Sequence, residues 1–485
     1  MDEAIRSRYE VVIGLEVHAQ LLTKTKAYSS DVNTYGSAPN TNVSAITLGH
    51  PGTLPMMNQK TIEYALRLGI ACDCQINQHQ HFARKNYFYP DLPKGYQITQ
   101  DTTPICTGGQ VLIRKEDGEK KAIRLTRIHM EEDAGKSIHD VDVFDTLVDL
   151  NRAGTPLLEI VSEPDLRSSI EAYNYLVEIR KLLRYLEICD GNMEEGSMRC
   201  DANVSVRLIG SKEFGTKVEV KNMNSMRNVQ RAIEFETQRQ IEAIENGELL
   251  SQETRGFDAL KGRTISMRTK EAANDYRYFP EPDLPPIEVS EAQIATISAQ
   301  MPTLPNVLFE RYTKQYGLSE YDASNIIDQK GIALYYESLI SYNSNYKASA
   351  NWLMGDIKSY LNEQGIDISQ FPVSPQRISA LIELIDEGKI SNTIASQRIF
   401  PALFQSENSP LEIAQSLNLL QSSDSNELEG YIDKVIELNV TEVQRYKNGE
   451  KQLIGFFMGQ IMKVSGGKAD PKASNSLMRQ KLDSL

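Results

Sequence analysis

Long apolar runs are absent from this 485-residue sequence. No segment approaches the roughly 20 consecutive apolar residues that a membrane-spanning helix requires, so no membrane attachment is expected. The opening Met-Asp-Glu-Ala-Ile-Arg-Ser-Arg-Tyr-Glu carries charge where a secretory leader needs an apolar stretch. It is also acidic where a transit peptide is rich in Arg and Ser. Cysteine is scarce and odd in number, five in all, which argues against a disulfide framework and for a reducing compartment. A cytoplasmic protein is expected. Basic residues are in deficit as well: 52 Lys and Arg face 66 Asp and Glu, for a net charge of −14. That balance argues against a surface coated for nucleic acid.

The common nucleotide and metal signatures are missing too. Gly135-Lys136-Ser137 looks like the end of a P-loop, but the glycine required five residues earlier is Met130. No Gly-x-Gly-x-x-Gly opens a helix, which removes a Rossmann domain. Cys72-Asp-Cys74 with His79 and His81 lacks the spacing of a standard zinc site and reads as structural.

What is present is organised. The length exceeds one ordinary core, so two or three domains are expected. The first half is strand-rich, with Gly and Pro between short β-patterned runs such as 9–18, 123–128 and 156–161. Two helices interrupt it. Ser168 with Glu171 forms a capping-box signature ahead of apolar Ile170, Tyr173, Leu176, Ile179, Leu183 and Leu186. A second helix starts near Ser225 and stops at Asn246-Gly247. Pro280, Pro282, Pro285, Pro286, Pro302 and Pro305 then mark a boundary, beyond which the pattern is helical. Residues 405–426, rich in Ser and Asn, read as a hinge into a last helical module. The expected fold is an α/β N-terminal domain with a mixed β-sheet, an all-α middle domain and a small all-α tail.

The most informative segment is Met198-Arg-Cys-Asp-Ala-Asn-Val-Ser-Val-Arg. Side chains on a strand alternate with period two, so Arg199, Asp201, Asn203, Ser205 and Arg207 share one face. Lys217, Glu219 and Lys221 repeat the pattern nearby. Two such strands suit the floor of a site for a charged, oxygen-rich substrate. In residues 11–18, Glu16 and His18 also share a face, opposite Leu15 and Val17. The pair suits a metal ion or acid–base work; a Glu–His hydrogen bond inside a core is the plainer alternative. Glu131, Glu132 and Asp133 come in succession, and Glu159 sits between Leu158 and Ile160 in an apolar strand. Such carboxylates need a cation or several donors. Gathered together, Glu16, His18, Glu132 and Glu159 make an oxygen-rich divalent site, suited to Mg2+ with Mn2+ left open by the histidine.

Residues 82–97 mix Arg84, Lys85 and Lys94 with Tyr87, Phe88, Tyr89 and Tyr96. Such a motif either receives phosphate and stacks a base or forms an ordinary turn at the edge of a core. Residues 441–485 hold eight Lys or Arg against four Asp or Glu. That excess either grips RNA locally or merely solvates a helical tail.

Taken in order, Gly14-Leu-Glu-Val-His, Arg84-Lys-Asn-Tyr-Phe-Tyr-Pro-Asp, His129-Met-Glu-Glu-Asp-Ala-Gly-Lys, Asp149-Leu-Asn-Arg-Ala-Gly-Thr-Pro-Leu-Leu-Glu, Met193-Glu-Glu-Gly-Ser-Met-Arg-Cys-Asp-Ala-Asn, Gln252-Glu-Thr-Arg and Asp275-Tyr-Arg-Tyr-Phe-Pro-Glu-Pro-Asp resemble one family. It is the B subunit of the aspartyl/glutamyl-tRNA amidotransferases, and the match runs from Tyr9 to the C-terminus. The resemblance implies a heterotrimer with an amidase-type A subunit and a small C subunit. The A subunit would release ammonia from glutamine and pass it through a channel. The B subunit would use ATP to phosphorylate the side-chain carboxylate of Glu or Asp misacylated onto tRNA(Gln) or tRNA(Asn), and ammonia would displace the phosphate. No large insertion follows Asp283, unlike the archaeal Gln-specific cousin, and no Ser-rich amidase signature is present.

By resemblance Glu16, His18, Glu132 and Glu159 surround the metal, with Glu131 and Asp201 as further candidates. Lys85 resembles a residue near the channel mouth that helps pass or deprotonate ammonia. Arg199 and Lys221, from their strand facing, could balance phosphate charge, with Asp201 beside them at the nucleotide. The family architecture implies an α/β cradle over 1–292, a helical domain over 293–406 and a tRNA-binding tail over 407–485. Lys447, Lys451, Lys463, Lys468 and Lys472 would be its phosphate contacts. Two other readings stand beside this one: a tRNA-binding scaffold whose partners carry the chemistry, and a free-standing metallohydrolase. A scaffold has no need of four metal-type ligands from three segments, and a hydrolase leaves the basic tail unexplained.

Overall fold

The computed structural model describes residues 2–139, 141–269, 275–420 and 425–484. The chain divides into two compact units, Met1–Val307 and Leu308–Leu485. The first is α/β and the second is helical.

Among the described residues the first unit holds a ten-stranded mixed sheet. The strands that carry the site are β1 (Tyr9–Gln20), β4 (Lys120–Glu132), β5 (Pro156–Ser162), β6 (Met198–Leu208), β7 (Val218–Lys221), β8 (Glu253–Asp258) and β9 (Arg263–Thr269). They lie in the order β9-β8-β7-β6-β1-β5-β4. β7 and β8 run parallel, and the other neighbours here are antiparallel. A separate small sheet pairs β2 (Ala83–Asn86) with β3 (Tyr96–Thr99), and β10 (Phe279–Pro280) adds to β2.

The period-two pattern decides the two faces. Ile13, Leu15, Val17, Met198, Cys200, Ala202, Val204, Leu158, Ile160, Ile128 and Met130 are buried in one apolar cluster. Against that face pack helices α1 (Gln59–Ala71), α2 (Ser169–Tyr185) and α3 (Met226–Glu245). On the other face, which carries the site, Glu16, His18, Glu159, Arg199, Asp201 and Asn203 are half-exposed, while His129 and Glu131 are buried.

Both expected helices form, with local differences. Ser168 accepts from the Glu171 backbone N–H, but the Glu171 carboxylate turns to the Arg167 N–H at 2.7 Å and to Lys121. The box is therefore closed on one side only. Tyr173, placed on the apolar stripe by spacing, is exposed, and Tyr175 is buried in its stead. α3 has Ser225 as N-cap and Asn246 as C-cap, followed by Gly247 at φ 75°, a left-handed turn that glycine adopts without strain.

One buried anion ties α3 to the β8–β9 hairpin. Glu236, fully buried, accepts from Arg239, Gln240 and Thr264, with Arg255 3.6 Å away.

The second unit buries an aromatic group in which Tyr360 stacks on Phe404 at 4.2 Å, with Phe371 and Phe400 edge-on to Phe404. A separate apolar cluster, including Leu428, Ile432, Phe457, Ile461 and Met478, holds the C-terminal helices together. Of the expected hinge over 405–426, residues 421–424 lie outside the described residues.

Glu236→Ala strands Arg239 and Gln240 beside buried apolar surface, and should lower stability by about 3 kcal/mol. Glu236→Gln keeps part of the acceptor set and should cost less. Denaturant unfolding of the full chain followed by circular dichroism measures both.

Candidate active site

Register builds the site row by row. β1 pairs β5 with His18 opposite Glu159, and pairs β6 with His18 opposite Arg199 and Glu16 opposite Asp201. β5 pairs β4 with Glu159 opposite His129, and Glu131 is two residues further along the same face. On the other side Asn203 is opposite Glu219 on β7.

Two groups of charged donors result. His18 Nε2 lies 3.5 Å from Glu131 Oε1 and 3.4 Å from Glu159 Oε2. His129 Nε2 closes on the same Glu159 oxygen at 3.3 Å. The second group is Glu16, Asp201 and Glu219. In each, one donor atom per residue lies within 4.8 Å of the others. Asn203 donates to Glu16 at 2.8 Å and Thr254 to Glu219 at 2.8 Å, while Lys221 pairs with Asp201 and, at 3.1 Å, with Glu219. No carboxylate belongs to both groups.

Apart from the buried Glu131, these groups line a cleft of about 440 Å3 whose walls also include Lys85, Arg127, Lys217, Gln252, Tyr276 and Tyr278. Its electrostatics follow from burial and pairing. Burial works against a charged His18, yet Glu159 and Glu131 raise its pKa to about 9. Burial and the neighbouring Glu159 push Glu131 up. Burial also opposes ionisation of Glu159, but His129 and His18 hold it well below the usual carboxylate range. Lys85 is raised above its ordinary value because Glu131, Tyr278 and Glu159 outweigh its burial.

The expected ligand set is regrouped. Glu16 and His18 do share a face, but Glu16 bonds Asn203, so the pair is not a buried Glu–His hydrogen bond. Glu132 does not join the cluster: it is opposite Pro156, on the other parity from Glu131 and Glu159. There its carboxylate accepts from the Ile98 N–H at 2.9 Å and pairs with Lys94. Glu131 takes its place. Arg199 is bidentate to Asp133 at 2.7 and 3.1 Å, and burial of Asp133 is outweighed by Arg199 and Arg152, which lower its pKa. Arg199 thus supports the cleft from beside it, whereas Lys221 and Asp201 line it.

The 82–97 motif divides in the same way. Arg84 clamps Glu281 at 2.7 and 2.8 Å and Lys94 holds Glu132, so both serve the core edge, while Lys85 faces the cleft with its Nζ 5.0 Å from the Tyr276 ring centre. Members not singled out from sequence as site residues include His129, two residues before Glu131, Arg127 on the same strand, and Gln252, Tyr276 and Tyr278, which entered only within the family motifs. In the tail, Lys447, Lys451, Lys463 and Lys472 are exposed and Lys468 is half-buried. Lys451 pairs with Asp483 at 2.8 Å and lies 4.0 Å from the Tyr446 ring centre.

This architecture defines a class of catalytic domain, and comparison gives it a family. Residues 11–295 match the family described as GatB/GatE catalytic domain, and residues 334–482 match the GatB domain. The chain is 50% identical over 481 residues to the B subunit of the aspartyl/glutamyl-tRNA(Asn/Gln) amidotransferase of Synechococcus sp. (strain JA-2-3B'a(2-13)), covering 98% of each. It is 50% identical over 477 residues to that of Alkalilimnicola ehrlichii, covering 98% of this chain and all of the relative. For Thermodesulfovibrio yellowstonii the figure is 49% over 471 residues, covering 97% of this chain and 98% of the relative. The chain belongs to the family of B subunits of the aspartyl/glutamyl-tRNA(Asn/Gln) amidotransferases.

With divalent cations chelated, the raised His18 pKa makes stability depend on pH. Its contribution is complete below the unfolded value of 6.5 and is lost as pH rises towards about 9. Urea midpoints measured across that window should fall for the native chain, and His18→Asn should flatten the slope. An unchanged slope in the variant would place the titrating group elsewhere.

Proposed function

We propose that this chain is the phosphorylating and amide-forming subunit of a tRNA-dependent amidotransferase, acting on Glu-tRNA(Gln), Asp-tRNA(Asn) or both. The observation that carries the reading is the polar sheet face, where members of two carboxylate-rich groups line one cleft with Lys85, Arg127, Lys217 and Lys221. A side-chain carboxylate is a poor acyl donor because its leaving group would be oxide. Transfer of the γ-phosphoryl group of ATP to one of its oxygens releases ADP and gives an acyl phosphate. Ammonia then attacks the carbonyl carbon, a proton is lost, and inorganic phosphate leaves. Such a transfer needs its oxygens positioned and neutralised more than it needs covalent help.

The donor sets fit hard divalent ions. Glu131 and Glu159 are carboxylates crowded on one imidazole, and Glu16, Asp201 and Glu219 offer oxygen alone. His18, Glu131 and Glu159 would hold one ion, with Mn2+ as well suited as Mg2+; Glu16, Asp201 and Glu219 would hold Mg2+. A cation bound there supplies positive charge to the phosphoryl oxygens. Lys85 lines the cleft beside Tyr276, where it would hold an oxyanion or help pass and deprotonate the incoming ammonia. Arg127 and Lys217 also line the cleft and would meet substrate phosphates there. Asp133 keeps Arg199 in place, and Glu132 keeps Lys94 in place.

We assign partners as the family implies: an amidase A subunit that supplies ammonia, a small C subunit, and the misacylated tRNA. The cradle is placed at 1–292, the helical domain at 293–406 and the tail at 407–485; the tail's own apolar cluster supports the last division.

With the A and C subunits, Glu-tRNA(Gln) and γ-labelled ATP but no ammonia donor, label transfer or ADP release should require the charged tRNA. ATP turnover absent beside tight tRNA binding would favour the scaffold. Glu131→Gln, Glu159→Gln and His18→Ala should each cut transfer at least about 100-fold with little change in tRNA affinity. Glu132→Gln should cost less, because its carboxylate serves Lys94. Lys463→Ala should weaken tRNA binding and reduce its salt slope by about 1, and Lys451→Ala, already paired with Asp483, should do less.

A further inference from the structure

Glu159 is flanked by two histidines, and only one of them has a use in the chemistry above. His18 comes from β1 on one side of β5 and His129 from β4 on the other, each opposite Glu159 in register. The Nε2 atoms of both close on the same oxygen, Glu159 Oε2, at 3.4 and 3.3 Å. Glu131 completes a ring: its Oε1 lies 3.5 Å from His18 Nε2 and its Oε2 3.9 Å from His129 Nε2. Imidazole and carboxylate therefore alternate around four side chains drawn from three neighbouring strands.

The ring has an open half and a closed half. The His18 and Glu159 side chains are 18% and 12% exposed, and those of His129 and Glu131 are 4% each. His18 is thus the more accessible imidazole for an ion entering from the cleft. The surroundings of His129 also assign its hydrogen. Its Nδ1 is buried and has no hydrogen-bond partner among the described residues. The tautomer with hydrogen on Nε2 donates to Glu159 and leaves only a bare nitrogen unpaired. The other tautomer buries an unpaired N–H and sets two lone pairs against each other. The hydrogen-bond network therefore puts the hydrogen on Nε2.

That assignment has a consequence once His18 serves as a ligand. A nitrogen that gives its lone pair to a cation carries no hydrogen, so His18 then ceases to donate to Glu159 and Glu131. His129 is the imidazole of the ring still able to donate. A carboxylate that ligates a cation is in turn held by a hydrogen bond, which fixes its orientation. We propose that His129 is a positioning residue of the phosphoryl-transfer centre: its Nε2–H holds the Glu159 carboxylate in the orientation that shares an ion with His18 and Glu131. The proposal rests on the reading that this group binds a divalent cation.

Mn2+ titration of the full chain tests it, with free ion measured by electron paramagnetic resonance. Nitrogen modulation of the electron spin echo marks ion bound through an imidazole, and its absence marks ion held by oxygen alone at Glu16, Asp201 and Glu219. His129→Leu should weaken the nitrogen-marked ion about tenfold or more and leave the oxygen-only ion unchanged. His129→Gln, which offers an amide N–H in place of the imidazole N–H, should recover most of that affinity. A merely structural histidine predicts otherwise: its loss would disturb both ions alike, and Gln would fare no better than Leu. Either result overturns the proposal, as does native affinity in His129→Leu. Loss of the nitrogen signature with the ion still bound would make His129 itself a ligand, and overturns it too. Absence of nitrogen-marked Mn2+ from the native chain would overturn the cation reading of the His18 group itself, and the proposal with it.

Discussion

The antiparallel register of β1 against β5 and β6 is the constraint from which the rest of the first unit follows. It sets His18 beside Glu159 and Arg199, and Glu16 beside Asp201. A slip of one residue would turn the charged set into the core and put Leu15 and Val17 in water. The apolar face forbids that slip. Each of Ile13, Leu15 and Val17 is fully buried, at about 1.5–3 kcal/mol per side chain. The charged face is thus held in place by residues that never touch a substrate.

That face is not electrically neutral by accident of packing. Several charges are already matched: Arg199 by Asp133, Lys94 by Glu132, and Arg84 by Glu281 and Asp283. These pairs stand behind or beside the cleft and fix its walls. Inside it the balance is different. Glu131 and Glu159 crowd on histidines, and the two groups of anions are met by cations spread along the rim. An arrangement of concentrated anions and distributed cations can accept both metal ions and phosphate oxygens, whereas a fully paired network accepts neither.

How far this was legible depended on range. Period-two alternation along β6 and β1 gave the correct faces because each strand is long and its apolar half is unbroken. The caps at Ser168 and Ser225 and the stop at Asn246-Gly247 are local, and they were readable for that reason. The run Glu131-Glu132-Asp133 was not, because three acids in succession carry no phase; only the pairing with β5 shows that Glu131 shares the face of Glu159 and Glu132 does not. Nor could spacing show that Arg199 would be met by Asp133, 66 residues earlier. The separation of Glu16 from His18 into different donor groups is likewise set by β6 and β7, which bring Asp201 and Glu219 to one side only.

Lys85 is where these constraints meet. It sits on the small β2–β3 sheet, not on the main one, and lines the cleft from there. Burial should have weakened its charge, yet the carboxylates of Glu131 and Glu159 more than offset that. The same anions therefore keep a cation at the cleft. Lys221, on the main sheet, is raised in the same way by Asp201 and Glu219, so each lysine is held cationic by a different group of carboxylates. The two donor groups thus do more than offer ligands: they support the charge of the lysines beside them.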